Sequence, residues 1–159
     1  MRVHLGSDHA GHELRLRLIA RLETQGHTPV DHGPQRYDPD DDYPGFCIAT
    51  AAATVADPGS LGVVIGGSGN GEAIAANKVV GARCALAWMP EAAALGREHN
   101  DANVLSLSAR LYAPELAEAI LDTFLATPFS EGARHVRRIG QLTEYEAGPG
   151  PGSQPERRS

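Results

Sequence analysis

The 159-residue chain has few aromatic residues, two cysteines and, among its 14 basic residues, a single lysine. Cys47 and Cys84 are too few for a disulfide framework and lack the spacing of metal ligands, so we interpret them as small buried hydrophobes. No apolar run approaches the roughly 18 residues that cross a bilayer, so no membrane partner is expected. The net charge of −6, without a basic stripe interleaved with aromatics, argues against binding to nucleic acid.

The remaining composition is typical of one globular domain. Hydrophobic residues make up 42% of the chain and charged residues 21%, and we place the domain at residues 1–146. From Ala147 onward Pro and Gly occupy 6 of 13 positions, which predicts a disordered tail over residues 147–159. Residues 1–6 have the pattern of a strand rather than of a signal segment, so a cytoplasmic, reduced protein is expected.

Short β-like runs alternate with longer helix-like runs along the chain. The predicted strands are Arg2–Gly6, Thr28–Asp31, Leu61–Ile65, Ala82–Ala87 and Asn103–Leu107. The predicted helices are His12–Thr24, Pro44 to about Ala56, Glu72–Lys78, Glu91–His99, Pro114–Ala126 and Glu131–Tyr145. This alternation predicts an α/β fold: a three-layer αβα sandwich around a five-stranded parallel sheet, either flavodoxin-like or Rossmann-like.

In an open parallel sheet, ligands bind beyond the carboxyl ends of the strands, at the point where the strand order reverses. For the expected order 2-1-3-4-5, that crevice lies between the loops that follow strands 1 and 3. These two loops contain the most unusual combinations of residues in the chain. We therefore expect the functional site there.

The loop after strand 1 has the sequence GSDHAGH, with Asp8 directly before His9. A dinucleotide site would require GxGxxG at this place, so a nicotinamide cofactor is not expected. Taken alone, Asp8 could be a helix N-cap and His9 a surface residue. Their position at the predicted crevice favours a role in ligand binding.

The loop after strand 3, Gly66–Glu72, has the sequence GGSGNGE. Its glycines allow backbone N–H groups to converge on an anion at the start of a helix, either a phosphate or an oxyanion formed during a reaction. No GK[ST] follows, which argues against a nucleotide site. Glu72 would repel a phosphate but suits a general base beside an oxyanion hole. The alternative is a first-turn Glu that the helix dipole stabilises.

Three further polar segments have open interpretations. His99 and Asn100 end a predicted helix, where a histidine can be structural or functional. Arg134 and Arg138 share one helical face with Arg137 beside them, which suits a small anion such as phosphate but also a solvated face. Four aspartates lack the spacing of a calcium loop, so we interpret them as solvated rather than as a cation site: Asp38, Asp40, Asp41 and Asp42.

The segments GSDHAG, YDPDDDYP, GGSGNGEAIAANK, REHND and ARHVRRI together resemble the ribose-5-phosphate isomerase B family. That family is part of a wider group whose members also isomerise galactose 6-phosphate and allose 6-phosphate. The resemblance covers about 145 of the 159 residues. It implies an enzyme of the pentose phosphate pathway that interconverts ribose 5-phosphate and ribulose 5-phosphate, without cofactor or metal. It also implies a homodimer with active sites at the subunit boundary.

The resemblance assigns a role to each matching residue. It makes Glu72 the proton acceptor, His99 the proton donor in ring opening, and Asp8 and His9 the pair that meets the sugar. The remaining substrate-binding residues are those of the anion hole, Gly67, Ser68, Gly69, Asn70 and Gly71; the phosphate ligands Arg110, Arg134 and Arg138, assisted by His9; and the pocket residues Tyr43 and Asn100.

One position departs from the pattern of many family members. They have a catalytic cysteine where this chain has Gly66, so a thiol cannot be the base here. Glu72 matches the other branch of the family, in which a glutamate takes that role. Two alternatives remain: a six-carbon sugar-phosphate isomerase with the same residues, and a non-catalytic flavodoxin-like module that binds a small ligand.

Overall fold

The computed structural model describes residues 1–148. Its strands are β1 Arg2–Ser7, β2 Thr28–Asp31, β3 Leu61–Gly66, β4 Cys84–Leu86 and β5 Val104–Ser108. Its α-helices are α1 His12–Thr24, α2 Tyr43–Ala56, α3 Asn70–Ala76, α4 Pro90–Asn100, α5 Pro114–Ala126 and α6 Ala133–Ala147. A 3-10 helix over His9–Gly11 precedes α1. The predicted tail lies outside the described residues from Pro149 onward, and Ala147, its first predicted residue, is the last residue of α6.

The five strands form one parallel sheet that is covered on both faces, which confirms the three-layer αβα architecture. Alternate residues of β3 point to opposite faces, as the period of a strand requires. Val63 and Ile65 pack into the core under α1, α4 and α5. Val64 packs into a smaller core under α2 and α3, which includes Cys47. Both cysteines are free; Cys47 is buried as predicted, and Cys84 is half-buried.

The strand order is β2-β1-β3-β5-β4, so the predicted order 2-1-3-4-5 is wrong for the last two strands. β5 is buried at all five positions and pairs with β3 on one side and with β4 on the other. β4 has three half-buried residues, which suits an edge strand with a single neighbour. The strand order still reverses between β1 and β3, so the expected crevice is preserved.

The last helix, α6, lies outside the three layers. It begins at Ala133 rather than at Glu131, because Glu131 has a positive φ of 53° that an α-helix cannot contain. Only His135 of this helix is buried. Val136, Leu142 and Tyr145 are exposed in the single chain. Among residues 1–148, no helix combines the length and the apolar character needed to cross a membrane.

Candidate active site

Asp8 directly follows β1, caps the 3-10 helix and lies close to His9. Its Oδ1 accepts hydrogen bonds from the backbone N–H groups of Ala10 and Gly11, at 3.0 and 3.2 Å, and so caps the 3-10 helix. Its Oδ2 lies 4.0 Å from His9 Nδ1. Asp8 is only 7% exposed, so the cap holds a carboxylate in the crevice between β1 and β3. The capping role and a role in the site are therefore compatible.

Glu72 occupies the first turn of α3 and is 4% exposed. Its carboxylate lies directly against Gly66, where an added Cβ would overlap Oε1. A side chain at position 66 and this placement of Glu72 therefore exclude each other. The absence of a cysteine at position 66 and the burial of the Glu72 carboxylate are therefore linked, because Gly66 leaves the space that the Glu72 side chain fills.

Burial raises the pKa of Glu72, because desolvation disfavours the charged carboxylate. The negative charge of Asp8 adds to this rise, and the backbone N–H groups of Glu72 and Gly69 oppose it. A raised carboxyl pKa is the usual condition of a group that accepts a proton and returns it in one turnover. The helix dipole alone does not require a first-turn glutamate to be buried, so the environment of Glu72 favours the general base.

The glycine-rich loop is held by serines of β5, which sequence reasoning did not single out. Ser106 Oγ donates to the carbonyl of Gly69 at 2.6 Å, and Ser108 Oγ donates to the carbonyl of Gly67 at 2.7 Å. Gly69 has a φ of 81°, a conformation that favours glycine. In a trans peptide the next N–H points opposite to the carbonyl, so the N–H groups of Ser68 and Asn70 face away from β5, where that of Asn70 donates to Ser68 Oγ at 3.3 Å. This orientation suits an oxyanion hole.

His9 is held by Asp41, from the loop between β2 and α2. Asp41 Oδ1 accepts from the backbone N–H of His9 at 2.8 Å and lies 2.9 Å from His9 Nδ1. The side-chain hydrogen bond with Asp41 raises the pKa of His9. The interpretation of the four aspartates as solvated is confirmed for Asp38, Asp40 and Asp42, which are exposed, but it is wrong for Asp41, whose side chain is 10% exposed.

Asp41 and His9, together with Asp8, are also candidates for a metal site. Asp8, His9 and Asp41 offer ligand atoms within 4.8 Å of one another. However, His9 Nδ1 already forms a hydrogen bond with the carboxylate of Asp41, and a metal at that nitrogen would have to replace its proton. A hydrogen-bonded pair accounts for the arrangement without a metal.

Tyr43 and Arg110 complete this side of the crevice. The Tyr43 ring packs against Gly71, and Arg110 Nη1 lies 3.4 Å from where a Cβ of Gly67 would be. Arg110 shares a cleft of about 410 Å³ with His9 and Tyr37. Ser108 Oγ also accepts from the N–H of Arg110 at 3.2 Å, so one serine connects the glycine loop with the arginine loop. The predicted residues Tyr43 and Arg110 therefore both lie beside the glycine-rich loop.

The other predicted residues form a second cluster between α4 and α6. A separate cleft of about 320 Å³ is lined by His99, Asn100, Arg134, His135 and Arg138. The rings of His99 and His135 stack with centroids 4.4 Å apart, and Arg134 Nε donates to His135 Nε2 at 3.2 Å. Burial and the positive charges around it lower the pKa of His135, so this ring is neutral and can accept that bond.

The two clusters lie at opposite edges of the sheet. Asp8 and the glycine loop follow the carboxyl ends of β1 and β3, whereas His99 and Asn100 end α4 directly before the amino end of β5. A five-residue strand spans roughly 17 Å. Within residues 1–148, no hydrogen bond or ion pair joins the two clusters, and the two clefts described above have no lining residue in common. One protomer therefore brings together five predicted residues: Asp8, His9, Tyr43, Glu72 and Arg110. His99 of the same protomer lies apart from them.

The fold and the first cluster define a doubly wound α/β protein with a buried carboxylate and a glycine-rich loop at the point where the strand order reverses. The Ribose/Galactose Isomerase family model matches residues 3–142, and the chain belongs to this family. It is similar to ribose-5-phosphate isomerase B of Mycobacterium tuberculosis strain H37Rv, with 59% identity over 157 residues that cover 96% of this chain and 97% of the relative. The corresponding protein of Mycobacterium leprae is 57% identical over 158 residues, which cover 97% of this chain and 98% of that one.

Solved structures agree with this assignment. Ribose-5-phosphate isomerase B of Mycoplasma genitalium, with bound ribulose-5-phosphate, superposes with a TM-score of 0.89 at 38% identity, over 93% of this chain and 97% of that one. The Clostridium thermocellum protein superposes with a TM-score of 0.88 at 39% identity, over 92% and 98%. The predicted α/β fold and the predicted family are confirmed.

Sequence reasoning missed Asp41, Ser106 and Ser108. The segment NVLSLS did contain a signal for the serines, because polar residues alternate with leucines in a strand that is otherwise apolar. Asp41 had no such signal, since it is one of four similar aspartates and only the path of the loop distinguishes it.

Proposed function

We propose that the chain interconverts D-ribose 5-phosphate and D-ribulose 5-phosphate through a cis-enediolate, as an enzyme of the pentose phosphate pathway that requires no cofactor. The observation that carries the proposal is the buried carboxylate of Glu72, with its raised pKa, beside the N–H groups of the glycine loop. The names of the 57–59% identical relatives support the choice of substrate. They do not favour a six-carbon sugar phosphate or a non-catalytic binding module.

In the proposed reaction, Glu72 removes the proton from C2 of the open-chain aldose. The negative charge that develops on the enediolate is received by backbone N–H groups of the loop Gly67–Gly71. A proton then passes from the C2 oxygen to the C1 oxygen, and Glu72 returns its proton to C1. The products are the ketose and an enzyme in its starting state.

Ring opening precedes this step, because the furanose has no free carbonyl group. We assign His99 as the donor of a proton to the ring oxygen. Asp8 accepts the proton of the anomeric hydroxyl group, and exchange with water then returns Asp8 and His99 to their starting protonation states. Asn100 contacts the sugar, and His9 and Tyr43 line the pocket beside it.

These roles require His99 and Glu72 in one site, which a single protomer does not offer. We therefore propose a homodimer in which one protomer supplies Asp8 and Glu72 and its partner supplies His99, Arg134 and Arg138. The exposed apolar side chains of α6 support this arrangement, since a helix that buries only His135 has a face available for a second copy. The cytoplasmic location expected from the sequence stays a prediction.

The isomerase is expected to work without metal or nicotinamide. In a coupled assay with ribose 5-phosphate, turnover should be the same before and after incubation with EDTA, because proton transfer at C2 uses only Glu72 and backbone N–H groups. Allose 6-phosphate, assayed in parallel, should be converted at a lower kcat/KM. Activity that disappears with EDTA and returns with a divalent cation would contradict a cofactor-free mechanism.

Replacing Arg134 or Arg138 with alanine is expected to raise KM for ribose 5-phosphate while kcat changes much less. The reason is that a phosphate ligand binds ground state and transition state alike. A loss of about tenfold or more in affinity is typical of a charge-assisted hydrogen bond. Arg137→Ala is the matched control, because Arg137 lies on the same helix but does not line the cleft with His99. An unchanged KM in both variants would refute the phosphate assignment.

A further inference from the structure

The loop between β2 and α2 brings one carboxylate into the candidate site. Of its aspartates, only Asp41 has a side chain that turns inward, and Asp38, Asp40 and Asp42 are exposed. We propose that Asp41 is a positioning residue for the isomerase: it fixes the ring of His9 with a proton on Nδ1 and keeps this ring cationic, so that Nε2–H binds the substrate's phosphate. This inference rests on the proposed function.

The geometry determines which ring nitrogen carries the proton. Oδ1 of Asp41 receives two hydrogen bonds from one residue, from the backbone N–H of His9 at 2.8 Å and from Nδ1 at 2.9 Å. A carboxylate oxygen only accepts, so Nδ1 must be the donor. The second bond also fixes the rotation of the ring. Nε2 has no hydrogen-bond partner within residues 1–148, and His9 lines the same cleft as Arg110.

The beginning of the loop is held by a buried arginine of α1. Arg15 is 1% exposed, and its guanidinium donates to the carbonyl of Pro34 at 3.0 Å and to Ser7 Oγ at 3.2 Å. It also forms an ion pair with Asp31, with Nε 3.2 Å from Oδ1. These bonds connect the end of β2 and the first residues of the loop to α1 and β1. The approach of Asp41 to His9 is thus part of a loop that is anchored to the core.

The charges around His9 favour the cationic ring. The hydrogen bond that His9 donates to Asp41 is the largest cause of its raised pKa, the charges of Asp8 and Asp41 add to it, and partial burial opposes it. The cleft also contains Glu13, Arg17 and Arg110, of which the two arginines would repel a positive ring. Since the two nearest charged groups are both carboxylates, their attraction prevails. Binding of phosphate by His9 should therefore persist to a higher pH than for an unpaired histidine.

The test uses Asp41→Asn in the full-length protein, because asparagine keeps an oxygen acceptor for His9 and removes the charge. NMR titration of the His9 ring should show a lower pKa than in the wild-type protein. KM for ribose 5-phosphate should rise about tenfold above neutral pH with a smaller change in kcat, since a neutral donor holds phosphate less well. The alkaline limb of kcat/KM should move to lower pH. Asp40→Asn, with the same loss of charge one residue away at an exposed position, should change none of these quantities.

A double-mutant cycle separates a specific effect from a general disturbance. In a His9→Gln background, Asp41→Asn should change KM by less than about twofold, because the partner it acts through is gone. A His9 pKa that is the same in Asp41→Asn and wild type, or effects that simply add, would overturn the role of Asp41. The NMR titration needs no turnover. A protein that failed to isomerise ribose 5-phosphate would refute the proposed function, while the titration would still decide whether Asp41 controls His9.

Discussion

Replacement of Glu72 by glutamine is expected to lower kcat for ribose 5-phosphate by ~10²–10⁴-fold, the range usual for a positioned general base. Glutamine keeps the volume of the side chain beside Gly66 but cannot accept the proton from C2. KM should stay the same or fall, because a carboxylate would no longer face an anionic substrate. A steady-state assay with ribose 5-phosphate measures both quantities.

Proton exchange in D₂O distinguishes this step from ring opening. Ribulose 5-phosphate cannot close into a furanose, so its deprotonation at C1 requires Glu72 but not a ring-opening acid. His99→Asn should therefore still exchange the C1 proton of the ketose at a rate near that of the wild type, as followed by NMR. Glu72→Gln should not. Exchange near the wild-type rate in Glu72→Gln would reduce Glu72 to a helix-start carboxylate.

Mixing two inactive variants is expected to restore activity if the sites are shared between protomers. Glu72→Gln and His99→Asn should each retain ~1% or less of the activity with ribose 5-phosphate, because each lacks one proton-transfer group. After dissociation and random reassociation in equal amounts, half of the dimers contain one of each. Each mixed dimer has one site with both groups intact, so about a quarter of the wild-type activity should return.

A second mixture controls for effects of reassociation. Asp8→Asn, which keeps a capping side chain, affects the same half of the site as Glu72→Gln, so every site in their mixed dimers lacks one group. That mixture should stay inactive. Activity that fails to return in the first mixture, or a fully active monomer in light scattering, would show that the two halves of the site belong to one chain.

The position of β5 shows why sequence reasoning reached the fold but not the full topology. Hydrophobic alternation is a local property, and it predicted five strands, with the bounds of β2, α1 and α5 matching residue for residue. The order of strands depends on which strand is buried on both sides. β5 takes the inner position, and only there can Ser106 and Ser108 reach the carbonyls of the glycine loop.

Asp41 and His99 illustrate the same limit at the site. Asp41 has neighbours of the same type at 38, 40 and 42, and only a loop anchored by Arg15 selects it as the partner of His9. His99 is a site candidate by its motif, but its distance from Glu72 follows from the direction of α4 relative to β5. Neither relation is contained in the spacing of residues along the chain.

The sequence by itself determined the class of fold and the crevice after β1 and β3, and it singled out Glu72 as the candidate base, because glycines, caps and apolar periodicity act over a few residues. Only the tertiary structure decided which strand lies next to β3, which aspartate holds His9 and that the two clusters are separated in one protomer. These are contacts between segments far apart in the chain, and they depend on how the elements pack against one another rather than on what each element is.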